Sequence, residues 1–427
     1  MNIITLGCSK NLVDSEVLSG HLSNSYEVVH ENRKRDHNIV IVNTCGFIEK
    51  AKEESIATIL QQVDLKRKGQ LDKVYVTGCL SERYKNDLET EIPDVDAYFG
   101  TMELPGLLKK FNVDYRSELT GERFLSTPSH YAYLKISEGC NRTCAFCAIP
   151  LMRGKHVSRS IESLADEAKK LVQKGVKEIM LIGQELTYYG LDIYKKRELP
   201  KLLNTLADIK GLEWIRLHYA YPSKFPIEII DVMKERDNIC NYLDMPLQHA
   251  ANNMLRAMKR QITREEMEAT IGEIRNKIPD ICLRTTLIAG FPGETQEDVE
   301  ELKLFLSKMQ FDRVGIFTYS HEEGTSAYSL SDDIPEAEKQ RRADAIMEVQ
   351  QEISYQKNKE KIGKTYKVII DKKEAGKYIG RTEFDSVEVD NEVIINSREK
   401  LVIGDFVNVT IAKAYDYDVE GEIVAGQ

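Results

Sequence analysis

Cys140, Cys144 and Cys147 lie within YLKISEGCNRTCAFCAIP at C-x3-C-x2-C spacing. Three closely spaced thiolates with no fourth cysteine nearby can hold three corners of a four-iron cluster and leave one iron open. Electron-transfer ferredoxins close the shell instead, with four cysteines at C-x2-C-x2-C-x3-C. An open iron invites a small chelating ligand. The competing reading is half of a zinc site, because C-x2-C is common there. A structural zinc takes four ligands, and the next cysteine along the chain is Cys240, which weighs against it.

A second trio is spread over the first 80 residues. MNIITLGC, NIVIVNTC and KVYVTGC are each a short β-branched run, a turn residue and a cysteine, placing Cys8, Cys45 and Cys79 directly after three strands. Helical stretches separate them, so the strands belong to a parallel sheet, whose neighbours require crossovers. Ligands of such sheets bind beyond the carboxyl ends of the strands. Convergence there suits a second cluster with three protein ligands. Buried cysteines filling small spaces are the plain alternative. The same position in all three strand–turn units favours the cluster.

These thiols need elements to hold them. From about 131 to 320 six strand candidates, YAYLKIS, KEIMLIGQ, EWIRLHYA, YLDMPL, CLRTTLIAG and RVGIFTYS, alternate with amphipathic stretches. Six βα units form a partial barrel with its site at the carboxyl ends of the strands. The first strand runs into the Cys140 loop, and Gln184, Glu185, Gln248, His249, Arg284, Tyr319, Ser320 and His321 follow or lie in the others as candidate contacts. SDDIPEAEKQRRADAIMEVQQEISYQKNKEKIG reads as a long exposed helix leaving the barrel. The remaining short β segments indicate a small barrel. The expected fold is therefore an α/β multidomain chain. An N-terminal parallel α/β domain (1–117) precedes a central partial (βα)6 TIM-like barrel (126–356) and a C-terminal small β-barrel (359–427).

With 427 residues, 42% hydrophobic and 30% charged, the chain reads as a globular protein of several domains. No apolar run approaches the roughly 20 residues of a membrane span, and MNIITLGCSKN lacks a signal-peptide pattern. A cytoplasmic location is expected, where eight cysteines indicate metal more than disulfides. A net charge of −10 argues against a surface made to coat nucleic acid. Residues 364–427 carry 9 basic and 13 acidic side chains, a balance that suits a basic protein partner.

Together, the tri-cysteine N-terminal domain, the C-x3-C-x2-C core and a terminal TRAM-like barrel resemble the radical S-adenosylmethionine (SAM) methylthiotransferases over nearly the whole chain. The resemblance implies that a methylthio group is installed on an unactivated carbon, using two 4Fe-4S clusters. It also implies two roles for SAM, methyl donor and source of a 5′-deoxyadenosyl radical. Carried over, Cys140, Cys144 and Cys147 hold the radical SAM cluster, and Cys8, Cys45 and Cys79 the auxiliary one. Gln184, Glu185, Gln248 and Arg284 become candidate SAM contacts, while Cys240 and Cys282 match no motif. One branch of the family modifies a transfer-RNA adenosine; the other modifies the β-carbon of an aspartate in small-subunit ribosomal protein S-twelve. GCSKNLVDSE resembles the ribosomal-protein branch, usually GCPKNLVDSE, with Ser9 departing from proline. The tRNA branch tends to carry Gln-Met-Asn there. CAFCAIPLMRGKHVSR and the acidic tail agree with the ribosomal-protein branch. The implied partners are that ribosomal protein, free or within the ribosome, and an electron donor such as flavodoxin. Neither membrane nor DNA is expected.

Overall fold

A computed structural model describes residues 1–31, 37–115, 123–397 and 399–424. The expected boundary at 117 and the end at 427 fall outside these residues. The N-terminal sheet is parallel, ordered β2 (Val29–His30), β1 (Asn2–Thr5), β3 (Ile39–Thr44), β4 (Lys73–Gly78), β5 (Ala97–Tyr98). The three strands that lead to cysteines are thus its three central neighbours. Side chains alternate across the sheet. Val40, Val42, Val74 and Val76 pack on one layer, and Ile3, Ile41 and Tyr75 on the other.

The central barrel is a six-stranded parallel sheet, ordered β13 (Arg313–Thr318), β12 (Cys282–Ala289), β11 (Ile239–Asp244), β10 (Trp214–Leu217), β9 (Glu178–Ile182), β6 (Tyr131–Lys135). Alternation again sorts its faces. Leu134, Leu181, Leu217 and Leu243 pack outward in the main core. Tyr133, Met180, Trp214 and Tyr242 line the interior. Capping boxes at Thr263/Glu266 and Thr295/Asp298 start two of the outer helices by satisfying their orphan N–H groups. A short ribbon of β7 (Ser137–Glu138) and β8 (Val157–Ser158) ties together the two ends of the loop that carries Cys140, Cys144 and Cys147. All six expected barrel strands are present.

Five strands close the C-terminal barrel in the order β14 (Thr365–Glu374), β15 (Lys377–Thr382), β16 (Val393–Asn396), β18 (Val419–Ile423), β17 (Phe406–Ala414). Its β15–β16 connection enters the amino end of the central barrel. There Arg381 meets Glu178, Asp385 meets Arg313, and Asp390 meets Arg284 and Tyr242. Ser386 meets His218, and Val387 packs with Tyr131 and Tyr133.

The helix Glu336–Lys359 is not the exposed rod that its sequence suggests. It runs across the expected boundary near 356–359 and lies against the barrel with Lys339, Arg342, Ile346, Gln350 and Asn358 buried. Its buried face is largely polar and held by hydrogen bonds. Arg342 pairs with Glu294 at 3.0 Å, Gln350 donates to the Phe311 carbonyl at 3.0 Å, and Asn358 donates to the Tyr415 and Tyr417 carbonyls at 3.1 and 2.8 Å. A helix hidden by hydrogen bonds rather than by leucines looks solvated in sequence. No described helix is long and apolar enough to cross a membrane.

Candidate active site

The N-terminal trio is brought together by glycines and one asparagine. Gly7 has φ 91°, and a Cβ there would lie 2.7 Å from the Cys45 Cβ, so only glycine lets the Cys8 turn approach Cys45. Asn11 donates to the Leu6 and Thr44 carbonyls at 2.7 and 3.0 Å, and its carbonyl faces the Cys79 thiol at 3.7 Å. Cys8 caps the helix Ser9–Leu22 without a side-chain cap bond, and Cys79 opens the helix Cys79–Glu91. Burial raises the Cys45 thiol and pushes Cys79 up to about 12, and each thiol also feels the field of Cys8. A Gly7→Ala substitution is expected to cost about 1–3 kcal/mol in backbone strain and to lower iron bound by this trio. Iron per chain after anaerobic reconstitution measures it; wild-type iron would remove the requirement for close approach.

The second trio sits in the loop after β6. Arg142 N–H points at the Cys140 Sγ at 3.4 Å, and Arg260 Nη1 at the Cys144 Sγ at 3.1 Å. Tyr221 closes the group, its hydroxyl 3.7 Å from the Cys144 Sγ. Burial pushes Cys140 up to about 11 and Cys147 up to about 12. A coordinating metal inverts that preference and deprotonates the thiol outright. Thiols that lie in each other's field, with N–H groups aimed at sulfur, form a donor set that fits an iron–sulfur cluster. Among the described residues no three Cys, His, Asp or Glu side chains surround a single-ion position.

The N-terminal trio adjoins the segment that follows the second. Cys79 packs with Ala148, next after Cys147, and with Met152. Between the trios Arg153, which is 4% exposed, donates to Asp14 at 2.6 Å, to Glu138 at 3.1 Å and to Asn11. Lys135 reaches the same two carboxylates. Burial alone would raise Glu138, but Lys135 and Arg153 hold it down to about 2. A further clamp joins the domains at Glu322, whose carboxylate takes Arg83 at 2.6 Å and Lys52 at 3.1 Å.

The four candidate SAM contacts differ in their freedom. Gln184 donates to Glu138 at 2.6 Å, while its own buried carbonyl oxygen has no partner among the described residues. Gln248 stands in a left-handed conformation (φ 78°), its backbone bridging to β12. Both oxygens of Glu185 are engaged. Oε1 accepts from the Thr187 N–H and hydroxyl at 2.6 Å, and Oε2 accepts from Arg142 at 2.9 Å. Arg284 is bound to Asp244 at 3.1 Å and Asp390 at 3.3 Å. His249 accepts the Ala250 and Ala251 N–H groups at 2.9 and 3.0 Å, shaping its loop. Cys240 and Cys282 are buried with Trp214 and Tyr242, away from both trios.

Sequence reasoning did not single out Asn11, Arg142, Arg153 or Arg260. Arg142 is stacked between the Tyr188 and Tyr221 rings, 3.9 and 3.8 Å from their centroids. Its place inside the cysteine run was a usable signal. Asp14 and Asn11, which hold Arg153, and Cys144, which faces Arg260, lie more than 100 residues from them in sequence, so the contacts have no local signature.

Comparison with known proteins shows the family. Residues 134–306 match the Radical SAM superfamily, 1–100 match uncharacterized protein family UPF0004, and 362–424 match the TRAM domain. Ribosomal protein uS12 methylthiotransferase RimO of Cytophaga hutchinsonii is 58% identical, covering 99% of this chain and 98% of that protein. RimO of Flavobacterium psychrophilum is 57% identical over 99% and 97%, and that of Bacteroides thetaiotaomicron 52% over 99% and 98%. The radical SAM methyltransferase TsrM of Kitasatospora setae, solved with tryptophan and a SAM analog, superposes with TM-score 0.55. At 16% identity over 74% of this chain and 72% of TsrM, that likeness shows a common fold. Full-length identity at this level leaves one assignment: the chain belongs to the RimO family of radical SAM methylthiotransferases.

Proposed function

We propose that this chain transfers a methylthio group to the β-carbon of an aspartate in ribosomal protein uS12. The observation that carries the proposal is the packing of the N-terminal trio's Cys79 against Ala148 and Met152, in the segment that follows the second trio. An iron–sulfur cluster and SAM belong to the superfamily; that each trio holds a 4Fe-4S cluster is part of this reading. When bound, these groups supply the hydrogen abstraction, the sulfur and the methyl. The division into residues 1–117, 126–356 and 359–427 is kept with it.

The chain's own residues do the positioning. Arg142 N–H and Arg260 receive thiolate charge at Cys140 and Cys144. Arg153, Lys135, Asp14 and Glu138 set the separation of the trios, which fixes how close the reacting atoms come. Gln184 and Gln248 are the proposed direct SAM contacts. A contact from Glu185 or Arg284 requires exchange of its present partner. Ala145, Met254, Met258, Ile288 and Phe291 form an apolar wall that keeps water from the mouth. The acidic C-terminal module suits a basic ribosomal protein, and a flavodoxin-like carrier is the proposed electron donor.

Mass spectrometry of the reconstituted, reduced enzyme with SAM and a uS12 loop peptide tests this. One methylthio group on the peptide aspartate is expected. Modification of a tRNA anticodon stem-loop alone would overturn the assignment and place the enzyme in the RNA branch.

A further inference from the structure

Among the cationic side chains around the barrel interior and its mouth are Lys10, Lys135, Arg142, Arg153, Arg260 and Arg284. Lys135 and Arg153 share Asp14 and Glu138. Arg142 holds Glu185, and Arg284 holds Asp244 and Asp390. Arg260 donates to the Pro246 carbonyl at 2.5 Å and to the Cys144 thiol. Lys10 differs from all of them. It is 8% exposed, its Nζ stands 3.2 Å from the centroid of the Tyr219 ring, and among the described residues no carboxylate, carbonyl or hydroxyl accepts from it. A ring face satisfies one direction of a group that has three donors.

Its placement is specific. Lys10 lies in the first turn of the helix Ser9–Leu22, two residues after Cys8, so its charge faces the seam between the N-terminal trio and the barrel. The first-turn N–H groups add positive potential to the same spot. Tyr219 follows β10 at the carboxyl end and adopts φ 61°, a conformation costly for a tyrosine. It is pinned from both sides. Its N–H donates to Asp244 at 3.1 Å, and its carbonyl accepts from the Leu186 N–H at 3.2 Å. The ring is thereby a fixed support for the ammonium.

Resting on the function proposed above, we infer that Lys10 receives the side-chain carboxylate of the substrate aspartate and so orients the neighbouring β-carbon. The methylthio group is added beside that carboxylate without consuming it, so the charge is present throughout the reaction. A desolvated ammonium with open donors selects an acid over the amide of the same shape, because the amide leaves the charge unpaired. A neutral nucleobase gains nothing from it.

The test compares reconstituted wild-type, Lys10→Met and Lys10→Arg enzymes on two uS12 loop peptides, one with the target aspartate and one with asparagine. Iron content is measured on each enzyme, and labelled-peptide anisotropy is read beside kinetics. Lys10→Met is expected to bind wild-type iron and to raise KM and Kd for the aspartate peptide about 10- to 100-fold, the loss of a charge-assisted hydrogen bond. Its preference for aspartate over asparagine should collapse, and Lys10→Arg should restore part of it. Unchanged KM and unchanged preference in Lys10→Met would overturn the assignment of Lys10 alone. So would a Lys10→Met enzyme that loses iron while Lys10→Arg restores none of the preference. A wild-type enzyme that leaves the aspartate peptide unmodified would overturn the function and the role of Lys10 with it.

Discussion

Replacing Cys8, Cys45 and Cys79 together by alanine is expected to abolish methylthio transfer while reductive cleavage of SAM continues. The same change at Cys140, Cys144 and Cys147 is expected to abolish both. The reason lies in the separation of the trios. The second trio alone lies in the loop that follows β6, bracketed by the β7–β8 ribbon and facing Arg142, Arg260 and Tyr221. The first belongs to another sheet and touches it through Cys79 and Arg153. Each triple variant should keep about half the iron of the wild type, since each removes one of two four-iron sites. Iron analysis and chromatography of 5′-deoxyadenosine and modified peptide read all three quantities. Continued methylthio transfer without the N-terminal trio would sink its role.

The second large effect concerns stability. Glu178 is fully buried between Arg216 at 2.8 Å and Arg381 at 2.7 Å, the latter from the C-terminal module. Glu178→Gln leaves the buried Arg216 without its counter-charge and Arg381 with Asp371 alone, which costs about 3–5 kcal/mol. Trp214, the single tryptophan, packs edge-on against Phe406 of that module at 4.8 Å between ring centroids. Its fluorescence therefore reports undocking directly. Urea titration followed at this residue should show the module leaving first in the variant. Coincidence with wild type would mean that the ion cluster holds nothing. Burial raises Glu178, but Arg381 and Arg216 outweigh it and hold the carboxyl below its ordinary range. Its contribution is thus present above the unfolded carboxyl value of about 4.3. It is lost as pH falls through the lower, folded value, so the wild type should undock in acid and Glu178→Gln should show a weaker acid transition.

Much of this was legible in the chain. The β-branched runs before Cys8, Cys45 and Cys79 became the three central strands of one sheet, because parallel topology leaves few other ways to pair them. The six barrel strands stood out because their outward face is apolar throughout, as at Leu134, Leu181, Leu217 and Leu243. Two-residue strands such as Val29–His30 carry no pattern to read. The polar burial was hidden for a different reason. Glu178 and Arg381 are 203 positions apart, and each alone reads as a solvated charge. Lys10 could be read as part of a motif, yet its burial against Tyr219 could not, since the contact joins two domains.

The loop between β15 and β16 also bears on how such a chain can change over generations. A small terminal barrel is often regarded as a detachable recognition unit that lineages exchange freely. Here Glu178, Arg216, Arg284 and Arg313 on the barrel side are neutralised or capped by residues 381–390 of the module. A graft from a distant relative would strand those charges unless its own loop carried matching acids and bases. Exchange of the module is therefore a joint inheritance of both surfaces, and its orientation toward the barrel is passed on with them.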